Sequence, residues 1–166
     1  MSNKDIESKA HLVPAYHKMM TRVTHKESAT TGLQAQIEDA QEQAVALNEL
    51  SREEAEHIGD YLRRDLQDAA EFIISTEQSL ADWMRFDLAL IEDSLLDMFS
   101  LMVDQSSLEL DNLAESARQA TEWQSGEITA LGTLDCEKCG HSLHFQKPDY
   151  IPACPNCGAT RFKRDI

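Results

Sequence analysis

Four cysteines stand in this 166-residue chain as two Cys-x₂-Cys pairs, Cys136/Cys139 and Cys154/Cys157, with fourteen residues between the pairs. Each pair sets two thiolates on one tight turn. Two such turns facing each other make the tetrahedral sulfur set that Zn²⁺ prefers. Gly140 and Gly158 each follow the second cysteine of a pair. Glycine there allows φ > 0 and lets backbone N–H groups approach the sulfurs. Four thiolates around a dication leave net negative charge, which those N–H groups, with Lys138, Arg161 and Lys163, would offset. Four cysteine ligands leave no open coordination position, so the expected role of a single Zn²⁺ is structural rather than hydrolytic. A thioredoxin-like redox motif would use one CxxC pair and leave the other unexplained. His141 and His144 read as surface or strand histidines rather than ligands.

The cysteines lie in a stretch of distinct texture, residues 127–166. Here glycine, proline and β-branched residues recur, and short strands are expected at Thr133–Asp135, Ser142–Gln146 and Ala159–Lys163, forming a small meander around the metal. Forty residues bury too little apolar surface to fold unaided, so the metal supplies much of the folding free energy of this zinc-ribbon domain.

Residues 14–126 read differently. The chain has only six glycines and four prolines, most of them at or after Gly126, which favours long helices before that point. After a flexible tail over residues 1–13, Pro14 suits a first helical turn, and Tyr16, Met19, Met20 and Val23 share one face. SATTG (28–32) marks a break or kink. Leu33, Ile37, Ala40, Ala44 and Leu47 follow the 4-3-4-3 spacing of a helix seam. Ser51 with Glu54 makes a capping box that opens a new helix, whose apolar face runs Ala55, Ile58, Leu62, Leu66, Ala69 and Ile73. A wide apolar stripe then extends from Leu80 to Met102 and includes Trp83, Phe86, Leu90 and Phe99. Ser106 with Glu109 offers another cap, Leu110, Leu113, Ala117 and Ala120 continue the pattern, and Gly126 fits a helix C-terminus. Trp83 and Trp123 read as core residues of helices. Arg63 and Arg64 read as a helix-surface pair engaged in salt bridges. The expected fold is mainly α: an acidic antiparallel bundle or a coiled-coil hairpin, followed by a small C-terminal β zinc ribbon. A leftover apolar strip would suit a homodimer. The change of texture also predicts two separable units, so that a Cys139→Ser chain loses the ribbon and keeps its helicity.

Charge narrows the function classes. Residues 1–126 hold 25 acidic and 10 basic side chains, whereas residues 127–166 hold 5 of each. The helical face therefore repels nucleic acid and anionic membranes, and nucleic acid is expected through the ribbon only. Arg161, Phe162, Lys163 and Arg164 put three cations around an aromatic, a pattern suited to a nucleic-acid or protein partner. No secretory leader stands out in residues 1–13, and the most apolar stretch, Leu95 to Val103, is too short to span a bilayer. A cytoplasmic location without membrane contact follows as the expectation, and in a reducing compartment paired cysteines favour metal over disulfides.

With both parts in view the chain resembles the YbeL-like family of bacterial zinc-ribbon-containing helical proteins. The residues that carry the resemblance are YLRRDLQD (61–68), GEITALGTLDCEKCGHSLHF (126–145) and CPNCGATRFKR (154–164). The resemblance implies acidic helices plus a zinc ribbon in a bacterial cytoplasm, and implies no activity. The expected function is that of a non-enzymatic interaction module, binding an unidentified protein partner and, through the ribbon, nucleic acid or the transcription and translation machinery. The alternative is a rubrerythrin-like redox protein with an Fe(Cys)₄ site. Glu54-x-x-His57 supplies one ExxH, but the other helical-region histidines, His11, His17 and His25, have no glutamate three residues before them, so a diiron centre would lack half its ligands. No glycine-rich phosphate loop or nucleophile arrangement is present.

Overall fold

The structure, a computed structural model, describes residues 9–24, 32–85, 87–108 and 122–164. Among the described residues, five α-helices precede a small β region. They are α1 (Leu12–Thr24), α2 (Leu33–Ala46), α3 (Arg52–Thr76), α4 (Leu80–Met84) and α5 (Asp93–Leu108), with a 3₁₀ turn at Leu88–Leu90. The expected last helix over Leu110–Ala120 and Glu109 lie outside the described residues, as do Phe86 and most of the tail and the SATTG segment.

Local chemistry sets the helix boundaries. Pro14 sits in the first turn of α1, and Tyr16, Met19, Met20 and Val23 are buried as their spacing requires. Ser51 and Glu54 form the reciprocal capping box of α3: the Glu54 N–H donates to Ser51 Oγ at 3.1 Å, and the Ser51 N–H donates to Glu54 Oε2 at 2.8 Å. Leu33, Ile37, Ala40 and Ala44 are buried on α2, but Leu47 is the C-cap residue and is 62% exposed. The seam stops there because Asn48 takes a left-handed conformation, φ 56°, that turns the chain out of the helix.

The stripe from Leu80 to Met102 is broken rather than continuous. A second capping box, Ser79 with Asp82, starts α4, and Arg85 in the left-handed conformation ends it after five residues. Trp83, Met84, Ile91, Leu95, Phe99 and Met102 nevertheless share one core, with the Trp83 and Phe99 rings stacked at 5.7 Å, while Leu90 is left exposed. Ser106 is a buried residue inside α5, and Glu109, its expected capping partner, lies outside the described residues.

Contacts of α1 with α2, α2 with α3, α3 with α5 and α5 with α1 close a ring, which is bundle packing rather than a two-helix hairpin. The central helix, α3, also meets α4 and the second strand.

Six short strands follow: β1 (Trp123–Gln124), β2 (Ile128–Thr129), β3 (Gly132–Cys136), β4 (Ser142–Phe145), β5 (Asp149–Tyr150) and β6 (Arg161–Lys163). They do not form a simple meander. The four-stranded sheet has the order β1-β6-β3-β4, all pairs antiparallel, and β2 pairs separately with β5. The sheet reaches back to Trp123, upstream of the change in composition at residue 127. Trp123 is thus buried in a strand rather than a helix, and Gly126, φ 93°, serves the β1–β2 turn instead of a helix end. Two apolar clusters result. Trp123, Leu134, Phe145, Ile151 and Phe162 pack with Cys136 and Cys154 inside the ribbon. Ile128, Ala130 and Leu131 instead belong to the helical core.

Candidate metal centre

The two turns predicted from the cysteine spacing face each other. All four Sγ atoms lie within 4.8 Å of one another, with Cys136–Cys157 and Cys139–Cys154 each at 3.6 Å. Sulfurs about 2.3 Å from a tetrahedral zinc are about 3.8 Å apart, so the set has the dimensions of a Zn(Cys)₄ site. It is the one group of three or more potential metal ligands among the described residues.

Backbone geometry holds the turns. The Gly140 N–H donates to Cys136 O at 2.9 Å and the Gly158 N–H to Cys154 O at 2.8 Å, closing each CxxC turn. Gly140 and Gly158 have φ of 75° and 73°, and a Cβ at either position would meet nothing within 4 Å. The demand for glycine is therefore conformational rather than steric. The Asn156 side chain and the His141 N–H lower the Cys139 thiol to about 6. The Ala159 N–H pulls Cys157 down, but burial and the neighbouring cysteine sulfurs outweigh it and push that thiol up to about 12. Cys136 and Cys154 are buried, Cys139 is exposed and Cys157 is intermediate, so the centre lies at the rim of the ribbon. The His144 Nδ1 lies 2.9 Å from Thr133 Oγ1, and neither His141 nor His144 joins the sulfur set.

The four C-terminal residues marked out by charge divide by the strand's period of two. Arg161 and Lys163 face outward, Arg161 with its Nε 3.7 Å from Glu137 Oε2. Phe162 is buried in the ribbon core. Arg164 is only 2% exposed and points into the helical body, so it offers no cation to a partner at the surface.

Arg164 belongs to a buried polar cluster that the sequence reading missed. Its Cζ lies 4.2 Å from the Trp83 ring centroid and 5.1 Å from that of Trp123. Its guanidinium donates to Thr133 O, Leu131 O and Thr129 Oγ1 and lies 3.4 Å from Asp68 Oδ2. At the centre is Asp65 of α3, fully buried. Its carboxylate accepts from the Ala130 N–H at 2.8 Å, from Trp123 Nε1 at 2.9 Å, and from Tyr16 Oη and Thr129 Oγ1 at longer range. Arg64 is likewise no surface residue. It is buried, pairs with Glu127 at 2.6 Å, donates to Ile128 O, and lies over the Trp123 ring. Arg63 makes the expected salt bridge, to Asp60, but its side chain is largely covered and also donates to Gln34 and Gln41 of α2. Burial and the Asp65 charge push the Tyr16 hydroxyl well above its ordinary range, and burial raises Asp68 despite Arg164.

A second tie lies beside the four-cysteine set. Arg85, released from α4 by its left-handed backbone, forks onto Asp135 at 2.7 and 3.1 Å, one residue before Cys136, and Ser142 Oγ donates to the same carboxylate at 2.6 Å. One signal for the cluster was available: Asp65 falls within the apolar stripe that contains Leu62, Leu66 and Ala69, a position where a charge demands a partner.

A protein family described as a zinc-ribbon containing domain matches residues 21–166. The protein described as "Uncharacterized protein YbeL" from Escherichia coli strain K12 is 32% identical over 137 residues, covering 80% of this chain and 81% of that protein. Its counterparts in Escherichia coli O6:H1 and O157:H7 match to the same extent. No solved structure matches the chain at a significant level. The family model spans most of the chain and the Escherichia coli relative is covered over four fifths of its length, so the chain belongs to the YbeL-like family of zinc-ribbon-containing proteins.

Proposed function

We propose that this is a non-enzymatic cytoplasmic protein in which one structural Zn²⁺, held by Cys136, Cys139, Cys154 and Cys157, shapes a ribbon that contacts a protein partner. The observation that carries this reading is the closed sulfur set: four thiols within 4.8 Å, with no histidine or carboxylate among them, fill every tetrahedral position. Chemistry at such a metal has no site for substrate. The helical body, with its excess of acidic side chains, favours a basic partner surface over nucleic acid. Nucleic acid, if bound, meets Arg161 and Lys163, which stand outward on either side of buried Phe162. Among the described residues no helix is long and apolar enough to cross a membrane.

Metal analysis of the purified chain tests the first part, with one zinc per chain expected. Abundant iron and a red protein would favour the rubrerythrin-like alternative instead. Affinity purification with and without chelator tests the second. A protein partner lost on chelation assigns the contact to the ribbon, and filter binding at low salt decides whether RNA or DNA is also held.

A further inference from the structure

We infer that the metal centre controls the fold of the helical body as well as that of the ribbon, with Asp65 as the coupling residue. Three observations converge. Asp65 sits in the middle of α3 with no solvent exposure, and most of its partners, Ala130 N–H, Trp123 Nε1, Thr129 Oγ1 and Arg164, are supplied by the ribbon segment. The β2 segment places Ile128, Ala130 and Leu131 in the helical core, among residues of the helices themselves. Arg85 at the end of α4 is tied to Asp135, next to the ligand Cys136, and Thr133 Oγ1 donates to Met84 O at 2.6 Å.

The consequence follows from burial. Four strands around a metal have too small a core to persist without it. When the ribbon loosens, Trp123, Ala130 and Arg164 leave Asp65. A carboxylate then remains in the apolar middle of α3, with Tyr16 and Arg64 as its remaining partners in the helices. A buried charge that loses most of its partners is strongly unfavourable, and the three apolar plugs of the β2 segment are lost at the same time. Metal loss therefore opens the helical body, and the chain behaves as one cooperative metal-dependent unit. This reverses the expectation of separable parts drawn from composition.

The test uses the full zinc-loaded chain. Denaturant unfolding is followed by helical circular dichroism and, in parallel, by zinc release to a colorimetric chelator. The two curves should coincide, and chelation alone should remove helicity together with the amide protection of α3. Zinc release at a lower denaturant concentration than loss of helicity, or α3 protection that survives chelation, would overturn the inference. Asp65→Asn supplies a second reading: without the buried charge, more helicity should survive chelation than in the parent. Equal loss in both chains would remove Asp65 from its coupling role. Should that variant not fold, the paired curves of the unaltered chain still decide.

Discussion

Arg164 Nη2, from the end of the ribbon, lies 3.7 Å from Asp65 Oδ1, in the middle of α3, and both side chains are buried. The two stand ninety-nine positions apart in sequence. Arg164→Ala should cost about 3–5 kcal/mol of unfolding free energy, the range for leaving a buried charge without its partner. Arg164→Lys should recover only part of this, because an ammonium cannot fork to Thr133 O and Leu131 O while stacking on Trp83. Urea midpoints of the three chains check both expectations.

Gly132 is bound to the same cluster. Its φ is +111°, and a Cβ there would lie 2.6 Å from Arg164 Nη1 and 3.2 Å from Trp83 Cζ3. Gly140 also has positive φ but open space around it. Gly132→Ala should therefore destabilise clearly more than Gly140→Ala, whose cost is conformational and about 1–2 kcal/mol. Paired thermal melts in excess zinc compare them.

Helix α3 depends on its cap. Ser51→Ala removes the acceptor for the Glu54 N–H and should cost about 1 kcal/mol. Ser51→Asp should restore most of it, as read from the urea midpoint.

Metal content should follow sulfur alone. Cys139→Ser should fall well below one zinc per chain, while His141→Ala and His144→Ala stay at the parent level. A fall in either histidine variant would change the ligand set. Zinc should also be lost on acidification, since binding requires thiolates and protons compete for them.

Acid stability tests the tie beside the metal. Burial raises the Asp135 carboxyl, but Arg85 and Ser142 outweigh it and hold the group below its ordinary value. A carboxyl lowered on folding contributes stability that is full above its unfolded pKa, about 3.9, and disappears as pH falls through the folded value. Asp135→Asn should therefore be less stable than the parent at neutral pH, with the difference shrinking below about pH 4. Thiolate protonation weakens both chains in acid, so the informative quantity is their difference in unfolding free energy against pH.

The metal ligands, the Ser51 cap and the buried faces of α1, α2 and α3 were legible in the sequence because each is local. Two cysteines three apart define a turn, and a serine three before a glutamate defines a cap, whatever the rest of the chain does. The break in the Leu80–Met102 stripe was obscured because its apolar residues serve one core from two helices and a turn, which leaves the spacing nearly helical throughout. Trp123 fits a helical pattern and Gly126 a helix end because the composition changes several residues after the sheet begins.

The sequence by itself determined that this chain holds a four-cysteine metal site behind a set of amphipathic helices. Those features depend on periodicity and short spacings. Only the tertiary structure decided what Asp65, Arg64, Arg85 and Arg164 are for. A charged side chain reads as a surface residue until long-range packing supplies its partner and removes its water. For Asp65 that partner comes from the other end of the chain, and that is why the metal site and the helical body are joined.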